Sequence, residues 1–136
     1  MSATLFHGAA LPGGTAWSGP AVARIPDAVV KLRWTDQPYR WHVNTGQEVF
    51  AVLAGRVAMH LREDGAERVV TLGPGDLLHL PAGAEHVAHP QGPACLLVVE
   101  QAGSDELTCA AGRSSCRPGS PCASARSARA RRGRPC

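Results

Sequence analysis

Apolar and polar residues alternate in short runs between residues 21 and 101 of this 136-residue chain, and turn-forming residues separate the runs. In residues 28–34, for example, Lys31 and Arg33 fall between apolar side chains, which is the period of a half-buried strand. The Asp64-Gly65 pair predicts a tight β-hairpin. No segment of ten residues has a helical period, so the pattern predicts an all-β sandwich or barrel. The predicted strands cover residues 21–25, 28–34, 39–44, 48–53, 56–62, 67–72, 77–80, 86–89 and 94–100.

Composition divides the chain into three parts. Residues 1–20 are rich in Gly, Ala and Pro, which is typical of an arm or an edge segment, and residues 21–108 form the predicted β-barrel domain. Residues 109–136 consist almost entirely of Ala, Arg, Ser, Gly, Pro and Cys. This set cannot build a hydrophobic core, so we expect a disordered tail. The last predicted strand ends near Gln101, which leaves the tail without a structural role.

The net charge of +3 conceals an uneven distribution. The tail carries seven of the fourteen basic residues and no acidic one, whereas residues 1–108 hold seven basic and eleven acidic residues and therefore a balance of −4. A basic tail is compatible with binding to nucleic acid or to an anionic surface. The same composition also arises when GC-rich codons are read in an unintended frame, and we favour this second interpretation. We therefore do not expect nucleic acid as a partner.

Cysteine use and the length of the apolar runs indicate the cellular setting. Four of the five cysteines lie in the tail without a C-x-x-C spacing or a nearby histidine, which argues against a structural zinc site. Cys95 precedes an apolar run and is expected to be a buried thiol. The sequence has no run of 18 apolar residues and no signal-peptide pattern, so we expect a cytoplasmic protein with no membrane segment.

The residues with the most chemistry lie in two stretches, of which the first is residues 41–55. Side chains two positions apart on a strand share a face, so His42 and Asn44 can point together into a barrel. Residues 45–47 allow the chain to reverse, which lets Glu48 begin a neighbouring strand beside them.

The second stretch, residues 75–86, ends in His86 directly after a tight Pro-Ala-Gly turn. This position allows His86 to reach the same pocket from an adjacent strand. Two imidazoles and a carboxylate that converge in a dry barrel predict a site for a divalent transition metal, with His42, Glu48 and His86 as ligands.

Both stretches resemble the signature motifs of the cupin superfamily. The first motif is Gly, five residues, His-x-His, three or four residues, Glu, six residues and Gly; the second is Gly, five residues, Pro-x-Gly, two residues, His, three residues and Asn. The resemblance implies the double-stranded β-helix of the cupins, a jelly-roll barrel, and a metal site formed by the residues at the motif's ligand positions, His42, Asn44, Glu48 and His86. The positions that match the motifs are His42, Glu48, Gly55, Gly75, Pro81, Gly83 and His86.

The chain departs from the motifs at three positions, where Asp36, Asn44 and Pro90 replace a glycine, a histidine and an asparagine. The change at Asn44 bears on function, because an amide oxygen is a weaker and harder ligand than an imidazole. Asn44 is therefore either a weak fourth ligand, or a hydrogen-bond donor to one of the ligands with an open coordination position of the metal beside it. A third alternative is that metal binding has been lost.

Two functions follow from these alternatives. Cupins include dioxygenases, isomerases, decarboxylases and sugar-binding proteins, so the fold does not select a reaction. The first hypothesis is a pocket with Fe, Mn, Zn or Ni that acts on or binds a small polar molecule, and whether it is an enzyme stays open. The second is a non-catalytic small-molecule-binding barrel without metal, because the inward strand positions are apolar. These apolar positions are Phe50, Val52, Val57, Met59 and Leu61.

The remaining expectations concern partners and the other candidate side chains. Family resemblance implies a homodimer, with the N-terminal arm as a candidate for strand exchange. By alternation, Tyr39 and Trp41 should face away from His42, and His89 should face away from His86. We expect His79 to be structural rather than a ligand.

Overall fold

The structure is a computed structural model that describes residues 1–109, and it confirms the all-β prediction with ten strands and one short 3₁₀ helix. The described residues contain no helix that is long and apolar enough to cross a membrane. The elements are the 3₁₀ helix Gly8–Ala10 and strands β1 (Ala21–Ile25), β2 (Ala28–Thr35), β3 (His42–Asn44), β4 (Glu48–Ala54), β5 (Val57–Glu63), β6 (Ala66–Leu72), β7 (Leu77–Leu80), β8 (Glu85–Pro90), β9 (Ala94–Gln101) and β10 (Glu106–Thr108).

The strands form two five-stranded antiparallel sheets, in the orders β1-β2-β9-β4-β7 and β10-β3-β8-β5-β6. Met59 and Val57 from the second sheet and Leu96 and Val52 from the first have no exposed surface, so the core lies between the two inner faces. This arrangement is the predicted jelly-roll barrel, and burial of these apolar side chains is its main source of stability.

Two turns show why the chain uses glycine where it does. Asp64 and Gly65 both have positive φ angles, 51° and 78°, as a two-residue hairpin between β5 and β6 requires. Gly55 has a φ of 80°, and a Cβ at this position would lie 2.3 Å from the carbonyl oxygen of Pro93. The glycine that ends the first cupin-like motif is therefore required both by its backbone angle and by a close approach of the backbone.

The alternation predicted for β2 is present, but its polar face is the one that turns inward. Arg33 pairs in register with the fully buried Leu96 and is itself only 6% exposed. Leu32 and Trp34 lie on the outer face, where the N-terminal arm covers them. A Cβ on Gly8 would lie 3.1 Å from Leu32 Cδ2, so the arm packs closely against this sheet.

The last strand of the domain differs from the prediction. The sequence indicated that the last strand ends near Gln101, but β10 follows it and pairs with β3. The chain stays attached as far as Cys109, whose backbone N–H donates to the carbonyl oxygen of Trp41 at 2.9 Å. A three-residue strand is too short to leave a periodic signal, which is why β10 was missed. The predicted disordered tail lies outside the described residues from position 110 onward.

Candidate metal centre

Two neighbouring strands bring the two predicted histidine ligands together. His42 of β3 and His86 of β8 are directly opposite in the antiparallel register, and their ring centroids are 4.2 Å apart. Glu48, the first residue of β4, reaches them from the other sheet, with its Oε2 3.4 Å from His86 Nε2. All three side chains are buried, and one ligand atom from each lies within 4.8 Å of the others. Such spacing suits ligands at about 2.0–2.2 Å from one ion.

The backbone holds both imidazoles in the orientation that a metal ligand needs. His42 Nδ1 lies 2.8 Å from the carbonyl oxygen of Arg40, and His86 Nδ1 lies 2.9 Å from that of Ala84. A carbonyl oxygen only accepts hydrogen bonds, so each Nδ1 carries the proton in these contacts. The lone pair of each neutral ring is then on Nε2 and free to bind an ion.

The electrostatics also favour a neutral His42. Burial, and after it the nearby His86, lowers the pKa of His42 from 6.5 to about 4. The Arg40 carbonyl and the Glu48 carboxylate oppose the shift without cancelling it. His42 therefore presents an unprotonated imidazole at neutral pH, which is the form that binds metal.

Asn44 lies beside these residues with its amide group turned towards Glu48. Its Nδ2 donates a hydrogen bond to Glu48 Oε2 at 2.6 Å. Of the two metal-binding roles predicted for Asn44, this geometry favours the hydrogen-bond donor, because the amide nitrogen faces Glu48 and not the amide oxygen that would bind a metal. The contact orients the carboxylate that lies 3.4 Å from His86.

The comparisons with known proteins agree with this arrangement. A family model described as the cupin domain matches residues 33–100, half of the chain, and this range includes the three clustered side chains. The chain belongs to the cupin family. The sequence matches none of the curated proteins.

Solved structures support the same fold for this cupin. A cupin-2 domain containing protein from Shewanella frigidimarina is 24% identical with a TM-score of 0.58, over 65% of this chain and 84% of the other. An uncharacterised protein with a double-stranded β-helix domain from Klebsiella pneumoniae is 21% identical with a TM-score of 0.61, over 77% and 97%. A hydroquinone 1,2-dioxygenase in complex with Cd²⁺ and 4-hydroxybenzonitrile is 18% identical with a TM-score of 0.56, over 66% and 67%. At these identities the likeness concerns the fold alone.

A small cavity of about 40 Å³ opens beside the three clustered side chains of this cupin. Its apolar lining includes Phe50 and Met59, as expected from the inward strand positions. The expectation that the lining is otherwise apolar is wrong, because polar side chains from β2, β9, β10 and the N-terminal segment also reach it. The aromatic and charged lining residues that the sequence analysis missed are Trp17, Arg33, Tyr39, Glu100 and Glu106.

Two of these carboxylates are neutralised by basic side chains at the wall of the cavity. Glu100 Oε2 accepts from Lys31 Nζ at 2.7 Å, and Glu106 forms an ion pair with Arg40. Glu106 also accepts from the Tyr39 hydroxyl at 2.9 Å. With these pairs formed, Glu48 is the carboxylate that remains next to the two histidines.

Tyr39 occupies a different position from the one predicted by alternation. Its ring packs edge-on against His42, with centroids 5.0 Å apart, and against Trp17 of the N-terminal segment at 5.1 Å. Residues 39–41 precede β3 and are not part of a strand, so the two-residue period does not apply to them. The place of Tyr39 in the pocket lining was therefore not expected.

The other histidines lie outside the cluster. His79 is exposed, and its Nε2 lies 2.8 Å from the side-chain oxygen of Gln47. His89 and His60 lie together on the outer face of the second sheet, with ring centroids 4.5 Å apart. The prediction that His89 faces away from His86 agrees with this geometry.

Proposed function

We propose that this cupin binds one divalent transition metal through His42, Glu48 and His86 and uses it to bind or transform a small polar molecule. The observation that carries the proposal is the convergence of three buried side chains with ligand atoms next to a cavity. The Nδ1 atoms of both imidazoles are already hydrogen-bonded to backbone carbonyl oxygens. Nitrogen and oxygen ligands of this kind suit Fe, Mn, Zn or Ni.

The size of the cavity limits what can bind beside the ligands. A cavity needs about 10–15 Å³ to hold one water molecule, so the 40 Å³ space accepts a molecule of only a few non-hydrogen atoms unless its walls move. A bound metal would supply Lewis-acid polarisation of such a molecule. The chain contributes the rest: Asn44 holds the carboxylate of Glu48, and the backbone carbonyls keep the protons of both histidines on Nδ1.

Cobalt substitution tests both parts of this proposal. We expect the purified, metal-free protein to bind a first equivalent of Co²⁺ with a visible absorption band, and we expect azide to shift the band by entering an open coordination position. Glu100→Gln is the matched control, because Glu100 lines the same cavity but pairs with Lys31. Failure of the wild-type protein to bind Co²⁺ at this site would contradict the proposal and favour the metal-free binding barrel. A bound Co²⁺ whose spectrum ignores azide, formate and acetate would contradict the small-molecule role.

Restoring the motif histidine is a second test. We expect Asn44→His to raise the affinity for Zn²⁺ by about tenfold or more, because an imidazole is a better ligand than an amide for this ion. The variant also removes the hydrogen bond from Asn44 to Glu48, so Asn44→Ala serves as the control for that loss. Competition with a chromophoric chelator measures the Zn²⁺ affinity of the wild-type protein and of both variants. Equal affinities for Asn44→His and Asn44→Ala would indicate that position 44 does not face the ion.

We further propose that this cupin is a cytoplasmic homodimer that does not bind nucleic acid. Family resemblance implies the dimer, and the charge balance of −4 over residues 1–108 disfavours binding to nucleic acid. The alternative function is a small-molecule-binding barrel without metal. The polar groups in the pocket lining would also allow such a barrel to hold a small ligand.

A further inference from the structure

A second pair of histidines lies on the outer face of the sheet whose inner face carries His42 and His86. In the register of β5 and β8, His60 is opposite Val87 and His89 is opposite Ala58. The two histidines are therefore diagonal neighbours on one face of adjacent antiparallel strands, a spacing that long side chains can bridge. Glu67 of β6 lies on the same face, with its Oε1 3.2 Å from His60 Nδ1.

The geometry of this outer group closely repeats that of the inner one. The rings of His60 and His89 have centroids 4.5 Å apart and an interplanar angle of 56°. The inner rings of His42 and His86 are 4.2 Å apart at 57°. In each group one carboxylate oxygen approaches a histidine nitrogen, at 3.2 Å outside and 3.4 Å inside.

From this correspondence we propose that His60, His89 and Glu67 form a second site for a divalent transition metal, on the outer face of the barrel. Two imidazoles and a carboxylate are the donors that Zn²⁺, Ni²⁺ and Cu²⁺ accept. The proposal is independent of the function proposed for the inner pocket, because the two groups share no residue.

The outer site is weaker than the inner one for two structural reasons. Its side chains are more accessible, with exposed fractions of 28% for His60 and 52% for Glu67, so water competes for the ion. The three ligand atoms are also not all within 4.8 Å of one another, as they are in the inner site. At least one of the three side chains must therefore move when an ion binds.

The surroundings do not oppose a cation. Arg62 lies on the same face, but its Nη1 donates to Glu85 at 2.6 Å, which compensates its charge. The Arg62 guanidinium stacks on the ring of Trp41. The pKa of His89 is lowered, by partial burial first and then by His60, so at neutral pH its unprotonated form is available to a metal.

Counting bound Zn²⁺ tests the outer site. We expect the metal-free wild-type protein to bind two equivalents in equilibrium dialysis or calorimetry, one tight and one weaker. The double variant His60→Asn, His89→Asn is expected to lose only the weaker equivalent, while His86→Ala is expected to lose only the tight one. Glu67→Gln is expected to weaken the second equivalent by about tenfold or more, because the loss of a ligand costs at least as much affinity as the loss of a partner of a ligand. His79→Asn is the control, because His79 is an exposed histidine outside both groups.

Trp41 provides a second measurement. Its ring centroid is 6.4 Å from that of His60, so Cu²⁺ at the outer site should quench its fluorescence. The part of the quenching that accompanies the weaker equivalent should disappear in the double variant and in Trp41→Phe. If the double variant, folded by circular dichroism, keeps the wild-type stoichiometry and quenching, the outer site is wrong. If the inner pocket binds no metal, the wild-type count falls to one and the double variant's count to zero, so the two proposals fail separately.

Discussion

Replacement of His86 by alanine is expected to lower the affinity of the inner site for Zn²⁺ by at least about 100-fold. The loss of a hydrogen-bond partner of a metal ligand lowers metal affinity by about 10–100-fold, and His86 is itself one of the three proposed ligands in the cluster. Competition titration with a chromophoric chelator gives the dissociation constants. Apart from His42, no other described histidine belongs to the cluster, so none is placed to replace His86.

The control for this experiment is His79→Ala, which removes an imidazole that contacts Gln47 instead of the cluster. It should bind Zn²⁺ with wild-type affinity. A folded His86→Ala protein that retains the wild-type affinity of the tight site would remove His86 from the ligand set and, with it, the proposed function.

Acid is expected to destabilise the metal-free protein through His42. Its pKa is about 4 in the folded state, against 6.5 as the ordinary value, so between these pH values the unfolded chain binds a proton that the folded chain rejects. The free energy of unfolding therefore falls as the pH is lowered from 6.5 to 4, and His42 has no such effect above this window. The full shift corresponds to a loss of about 3 kcal/mol.

Urea unfolding of chelator-treated protein at a series of pH values measures this effect. His42→Gln is the comparison variant, because glutamine cannot be protonated and keeps a polar group in the buried site. Its free energy of unfolding should fall less steeply between pH 6.5 and 4, whereas the contribution of the carboxylates is common to both proteins. Parallel curves for the two proteins would mean that His42 already accepts a proton in the folded state near its ordinary pKa.

Local sequence signals predicted much of the framework. β1 and β7 begin and end at the predicted residues, and most other strands differ by one or two residues at an end. These strands alternate regularly and end at Gly, Pro or Asp turns, so their signal is contained in a few neighbouring residues. The spacing of His42, Glu48 and His86 belongs to the same class of signal, because each follows a turn that determines where its strand begins.

Features that depend on distant parts of the chain were not predictable in this way. Alternation along β2 shows that Lys31 and Arg33 share a face, but it does not say which face is inside. Pairing with β9 decides this, because Arg33 lies opposite the fully buried Leu96. In the same way Trp17 reaches the pocket only because the N-terminal arm packs back onto the barrel near Tyr39.

The amino-acid order of this cupin thus specified the strands, the turns and the three residues that meet in the pocket, since each is encoded within a short stretch. The assembled sheets decided which other polar side chains line the pocket. They also decided that His60 and His89 meet on the outer face. The physical reason is that a two-residue period defines two faces without distinguishing them, and only long-range strand pairing and burial assign one face to the core.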